Sequence, residues 1–456
     1  MNKFLRVFAT LLSFLIFCPG VLGQRSLVDR VFDHRLVGYT RQILVQPDGF
    51  IIAIGANSGQ TLRVDSKGER VFGDWPLGCC YLGQGVCGAL DPKTGNIYVG
   101  VSLSSVITAK GQGVIRLLPT GLVDTNFLAI ISGSPNPVTV WSIALTGDGQ
   151  IVIGGRFDLV DGLPRKNIAR LSHDGSLDLG FDPERSIEDI YSVVVDRRGR
   201  VLAGGSDSAS GANLVRYLNT GRVDPDFQQA NLSPVNVIAL QEDNRILVGG
   251  FGYETRNGAI EPLVRLEPDG RVDQRFRARI GSSIVGGKYP SEVEALSVAR
   301  DGNILVGGKF ASVNGVARNS IARFFPNGEL DLSFDPRSGP EPHLGTTSIT
   351  ALALDQTGRV LVGGSFSYFD GLPRNGLVRL LASNPPLPPP FSLRQVREDV
   401  LILHAETGLE YLIEESSNLR LWSPKKRFIQ MAEFFEISLP RAQTEGMNFY
   451  RAVLVE

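Results

Sequence analysis

Four histidines, His34, His173, His343 and His404, are all the imidazoles in this 456-residue chain, and none sits in a pattern suited to a general base or a metal pair. His173 precedes Asp174 and Gly175 in a turn sequence, where a solvated ring is expected. No GxSxG, HExxH, P-loop or EF-hand sequence occurs. Residues 83–88 (GQGVCG) spell the dinucleotide fingerprint, but they lead into a strand pattern, so a phosphate would lack the helix terminus it needs. Cys79, Cys80 and Cys87 cluster, and in an oxidising compartment a short-loop disulfide to Cys87 is expected with one thiol left over. A fourth ligand is missing nearby, so neither a metal nor a cofactor is expected. Carboxylates gathered from distant segments are a catalytic arrangement that local spacing does not encode.

The charged residues with regular spacing are of another kind. Arg116 and Asp124, Arg170 and Asp178, Arg216 and Asp224, Arg265 and Asp273, and Arg323 and Asp331 are each eight residues apart. A hairpin with a short Gly-containing loop between the partners sets them opposite each other as structural ion pairs. Eight residues beyond Arg63 stands Val71, so the first copy lacks the pair.

These pairs belong to a longer phrase: an apolar strand, a Gly turn, a strand ending in Gly-Gly, a variable loop, a strand with Arg, a second Gly turn, and Asp-x-x-Phe. Anchored on Gly55, Gly100, Gly154, Gly204, Gly249, Gly307 and Gly363, the copies are 45, 54, 50, 45, 58 and 56 residues apart. Four short strands at such a period predict an all-β, seven-bladed β-propeller with four-stranded blades. The last copy has Arg379 but no Asp-x-x-Phe, while residues 27–32 (LVDRVF) have Asp29 and Phe32 but no Arg strand. Residues 27–32 are therefore expected to form the outer strand of the last blade, with Asp29 against Arg379, which removes the open sheet edges. Ala89, Ala144, Ala239, Ala295 and Ala351 mark the first strands as innermost, where room is short.

In an up-and-down blade alternate connections emerge on opposite faces. The short Gly turns share one face; the variable loops and blade crossings share the other, which is where function is expected. That face carries Tyr81, Trp141, Tyr253, Tyr289, His343, Tyr368 and Phe369 as candidate ligand-binding residues, with Trp75 nearby. Three related loops hold Arg165, Arg318 and Arg374 after an Asp-Gly or Asn-Gly turn, a recurrence that suits scaffold better than site.

Lys3 and Arg6 precede an apolar run over residues 7–17 and a plausible cut after Gly23, so residues 1–23 read as a signal peptide too short to span a bilayer. The propeller then occupies 24–383, a Pro-rich linker 384–390, and a small C-terminal β domain 391–456. A formal charge of -1 offers no electrostatic case for nucleic acid. No later segment suits a transmembrane helix, and a secreted or cell-surface monomer is expected.

The phrases ALxxDGxILVGGxF and IARLxxDGxLDxxF resemble the delta-60 repeat of bacterial exported propellers, over about residues 27–381. That resemblance implies a fold and no activity. YLIEESSNLRLW and NFYR in the tail resemble a small β module of secreted verrucomicrobial and planctomycete proteins, with Tyr411, Trp422 and Phe449 as core. The resulting expectation is a secreted, non-enzymatic scaffold that binds a protein or glycan through its loop-rich face. Its alternatives are a polysaccharide-acting enzyme with carboxylates at the channel mouth and a structural element of the cell envelope.

Overall fold

The computed structural model describes residues 26–32, 38–55, 60–71, 84–103, 112–133, 138–228, 230–254, 260–281, 291–342 and 347–382, together with the backbone of six strands between 392 and 454. The expected signal peptide, Trp75, Cys79, Cys80, Tyr81, Tyr289, His343 and the linker lie outside these residues, as do the side chains of Tyr253 and of the tail. Residues 26–384 form one compact unit, and the tail belongs to another.

Every described element is a strand. Seven three-stranded antiparallel meanders follow one another among the described residues, such as Asp189–Val195, Val201–Ser206 and Leu214–Tyr217. Their first strands pack side by side, and Gln42–Val45 of the first also meets Ser348–Leu354 of the last. The chain is thus an all-β propeller. In the tail, Val400–His404 lies between Ser392–Arg397 and Phe434–Ser438, and Glu410–Ser416 lies between Ser423–Ile429 and Phe449–Leu454.

The expected fourth strand is in fact one bridge per meander: Val64 with Arg70, Leu117 with Val123, Leu171 with Leu177, Tyr217 with Val223, Leu266 with Val272, Phe324 with Leu330, and Val28 with Leu380. Asp-x-x-Phe explains the shortening. The Asp carboxylate accepts the N–H two residues on, at 2.8–3.0 Å, and the Phe N–H returns to the Asp carbonyl, so the chain turns at once. The other carboxylate oxygen takes the Arg eight residues earlier at 2.6–2.8 Å, and the guanidinium lies 4.4–5.1 Å from the centroid of the Phe ring.

Each of these arginines also reaches the next meander. Arg170 donates to the Asn219 carbonyl at 2.8 Å, and Arg116, Arg216, Arg265 and Arg323 donate to the carbonyls of His173, Pro268, Pro326 and Ala382. At the ring junction Arg379, 2% exposed, is 2.9 Å from Asp29, stacks on Phe32 and donates to Ser66 at 2.6 Å. Arg63 differs, because without an Asp eight residues on it turns to Gln46 (2.8 Å) and Asp48 (2.9 Å) over the Phe50 ring.

The Gly-Gly pair has two separate jobs. A Cβ on Gly154, Gly204, Gly249 or Gly307 would come within 2.5–2.6 Å of Ile190, Val235, Val293 or Ile349 of the next meander. A Cβ on Gly155, Gly205, Gly308 or Gly364 would instead overlap a carbonyl oxygen of the meander's own first strand, and one on Gly250 the carbonyl of Pro234 just before it. In the first meander Gln42 pairs with Ile54, so Gly55 matches the second Gly of the pair and the sequence anchor slips by one residue. Ala295 and Ala351 pair with Gly307 and Gly363 and so face the adjacent meander rather than the axis; Ala144 and Ala239 lie one pleat further along on that same side.

Asp124 is held below the usual 3.8 by the Asn126 N–H and by Arg116. Burial works against the charge of Asp178, Asp224, Asp273 and Asp331, but the Arg and N–H bonds outweigh it and lower these too. A lowered folded pKa adds stability that is complete above the unfolded value and lost as pH falls through the folded one. Thermal melts should therefore hold level from pH 7 to about 5 and drop steeply below about pH 4; a midpoint unchanged at pH 3 would remove these pairs as a source of stability.

Candidate functional site

The innermost strands do not run straight. Six of them carry an irregularity at the same place, opposite the Gly-Gly pair in five and opposite Gly100 and Val101 in the other: between Gly85 and Cys87, Val140 and Ser142, Ile190 and Ser192, Val235 and Val237, Val293 and Ala295, and Ile349 and Ala351. In five of the six the second Gly gives the carbonyl room for its close approach; in the other, Val101 stands at that position and its partner across the ladder is Gly85. A bulge takes its residue out of the ladder and re-aims the side chain. The bulged residues Val86, Trp141, Tyr191, Asn236, Glu294 and Thr350 are all partly exposed, although the residues before the last five are buried to 0–1%. They form one ring at the loop-rich end of the innermost strands.

One side of this ring is aromatic. The Trp141 and Tyr191 rings are 5.1 Å apart and tilted by 57°. Arg156 lies over Trp141 at 5.4 Å and forks onto Asp189, Nε to Oδ1 at 2.6 Å and Nη2 to Oδ2. The Asp189 bonds raise the Arg156 pKa, and burial followed by the Asp189 charge raises that of the Tyr191 phenol.

The other side is polar. Lys309 sits between Glu294 at 2.6 Å and Glu292 at 3.1 Å; Ser348 donates to Glu294, and Asn236 donates to Glu292 at 2.9 Å. Burial raises the Glu294 pKa in spite of its bonds to Lys309 and Ser348. Burial opposes the Lys309 charge, yet the two glutamates hold its pKa above the ordinary value. Tyr39, raised by burial and then by the Glu294 charge, and Thr350, which donates to the Thr40 carbonyl at 2.6 Å, complete this side.

Among the residues expected to bind ligand, Trp141 lies in the ring. Tyr368 is 39% exposed on a two-residue hairpin away from it, and Phe369 is wholly buried against Phe366 at 5.7 Å, which corrects its assignment to a binding surface. The reason is local: Asp370 and Gly371 both have positive φ, a tight hairpin that turns Phe369 inward. Arg165 pairs with Asp182 at 3.1 Å, and Arg318 and Arg374, 6% and 7% exposed, bond the carbonyls of Ala317 and Pro373 beneath the same type of hairpin. Cys87 is a free buried thiol 3.3 Å from the Val140 carbonyl, its pKa pushed up to about 12 by burial, which corrects the disulfide expected for it. His173 is exposed, 3.1 Å from the Gly149 carbonyl. No cluster of potential metal ligands occurs among the described residues, and none of their helices is long and apolar enough to cross a membrane.

Sequence reasoning passed over Tyr191, Asn236, Glu294 and Thr350. Each, like Trp141, lies thirteen residues before the first Gly of its pair, a spacing that becomes meaningful only once the bulge is seen.

Residues 146–181, 241–276, 299–334 and 356–383 match a family described as a domain of unknown function (DUF5122) beta-propeller. No curated protein matches the chain. Among solved structures, an extracellular domain assigned to a hybrid two component system of B. thetaiotaomicron is 14% identical, with 92% of this chain and 48% of that chain covered and a TM-score of 0.47. Virginiamycin B lyase from Staphylococcus aureus is 10% identical, with 75% and 94% covered and a TM-score of 0.49. The chain spans about half the length of the B. thetaiotaomicron domains it matches.

Proposed function

We propose that this chain, built from the repeats of a β-propeller family, is an exported seven-bladed scaffold that binds a glycan without transforming it, at the ring of bulged residues. The observation that supports this most is the recurrence of the bulge at one register of the innermost strands, which gathers Trp141 and Tyr191 on one side of an opening and hydrogen-bonding groups on the other. Sugars present apolar C–H faces and hydroxyl edges, and an aromatic pair opposite fixed polar groups suits both. Binding is favoured over catalysis because Lys309 ties up both Glu292 and Glu294, so neither is poised as a free acid or base.

Glycan-array screening followed by calorimetry tests the reading. Trp141→Ala should weaken the best ligand by about thirtyfold, the loss of ~2 kcal/mol typical of a central aromatic anchor, with an unchanged melting curve. Full affinity in that variant, or capture of proteins and no glycan, would refute it.

A further inference from the structure

The charges around the opening bear on which glycans can enter. Each cation there already has a partner. Arg156 gives Nε and Nη2 to Asp189, with the Glu188 charge close by. Lys309 is clasped by Glu292 and Glu294. Arg41 lies over the Tyr39 ring at 5.2 Å, and the charges of Arg41 and Glu294 both act on the Tyr39 phenol. Among the described residues in and beside the ring, the three cations Arg41, Arg156 and Lys309 therefore stand with four carboxylates, Glu188, Asp189, Glu292 and Glu294.

Resting on the glycan reading above, we infer that the opening selects uncharged sugars and rejects anionic ones such as uronates. A sugar carboxylate that approached Arg156 or Lys309 would meet protein carboxylates already at bonding distance, and like charges so close repel strongly in a partly desolvated opening. An uncharged hexose needs no counter-charge. Its C–H face covers the Trp141 and Tyr191 rings, and its hydroxyls donate to the unused lone pairs of Glu292 and Glu294 while accepting from the outer N–H groups of Arg156. Because Arg156 and Lys309 are already paired with carboxylates before the ligand arrives, an uncharged sugar releases few counterions on binding, and added salt leaves its affinity almost unchanged.

The test compares cellohexaose, mannohexaose and hexagalacturonate by calorimetry with the full chain at 20 and 500 mM NaCl. An uncharged hexasaccharide should bind with less than a twofold change in Kd between the two salts, and hexagalacturonate at least tenfold more weakly. Glu292→Gln with Glu294→Gln should narrow that gap, and circular dichroism confirms that the variant is folded. Preference for hexagalacturonate, abolished by salt and by Trp141→Ala, would overturn the charge inference and leave the glycan reading standing. Absence of binding by every saccharide in this set and on the array would overturn both.

Discussion

Alanine at Gly308 is expected to be among the most damaging single-methyl changes in this protein. Its Cβ would overlap the Glu292 carbonyl oxygen and lie 3.0 Å from the Val293 Cα, and both are backbone atoms that no rotamer change can move aside. The strand would have to straighten or shift, at a cost of about 3 kcal/mol, the upper range for overpacking. Straightening removes the bulge, so Glu294 would leave Lys309 and Ser348. Gly147→Ala is the control: nothing lies within 4 Å of its Cβ, and the change should be neutral or slightly stabilising. Urea unfolding midpoints measure both. Equal midpoints for the two variants would show that the second Gly of the pair does not hold the bulge open.

The second large effect is expected at the ring junction. Asp29, 7% exposed, is the carboxylate facing Arg379 and also lies 3.4 Å from Arg359. Asp29→Ala would leave the Arg379 guanidinium buried with the Ser66 carbonyl for compensation, a loss of about 3–5 kcal/mol. Asp331→Ala breaks the same kind of pair inside a continuous segment and should cost a similar amount. The combined change Asp29→Leu with Arg379→Met removes both charges and should recover most of the loss, since an apolar pair of similar volume avoids the desolvation of two ions. Wild-type stability in Asp29→Ala would mean that the N-terminal segment does not close the ring.

The first Gly of each pair and the Asp-x-x-Phe turn also bear on how the repeats were readable. Arg and Asp eight residues apart announce a hairpin register because both partners are local, and the mismatch between an orphan Asp29 and an orphan Arg379 points to their meeting across 350 residues. The same reasoning read a strand where the structure has a single bridge, because apolar alternation does not reveal that the Asp side chain caps its own turn. Phe369 departs from its expected exposure for a related reason: its neighbours spell a surface loop, but two positive φ angles in succession turn the ring into the core.

What the amino-acid order decides alone is whatever depends on contacts within one repeat: the all-β class, the period, the Gly turns, the Arg–Asp register and which copies depart from it. Tertiary structure decided what depends on neighbouring repeats. The arginines tether each meander to the next through a carbonyl whose identity carries no side-chain signal, and Tyr191, Asn236, Glu294 and Thr350 share one register only because the innermost strands bulge at the same place. Backbone acceptors and bulge directions are set by how close two strands can pack, and that distance exists only after the ring has formed.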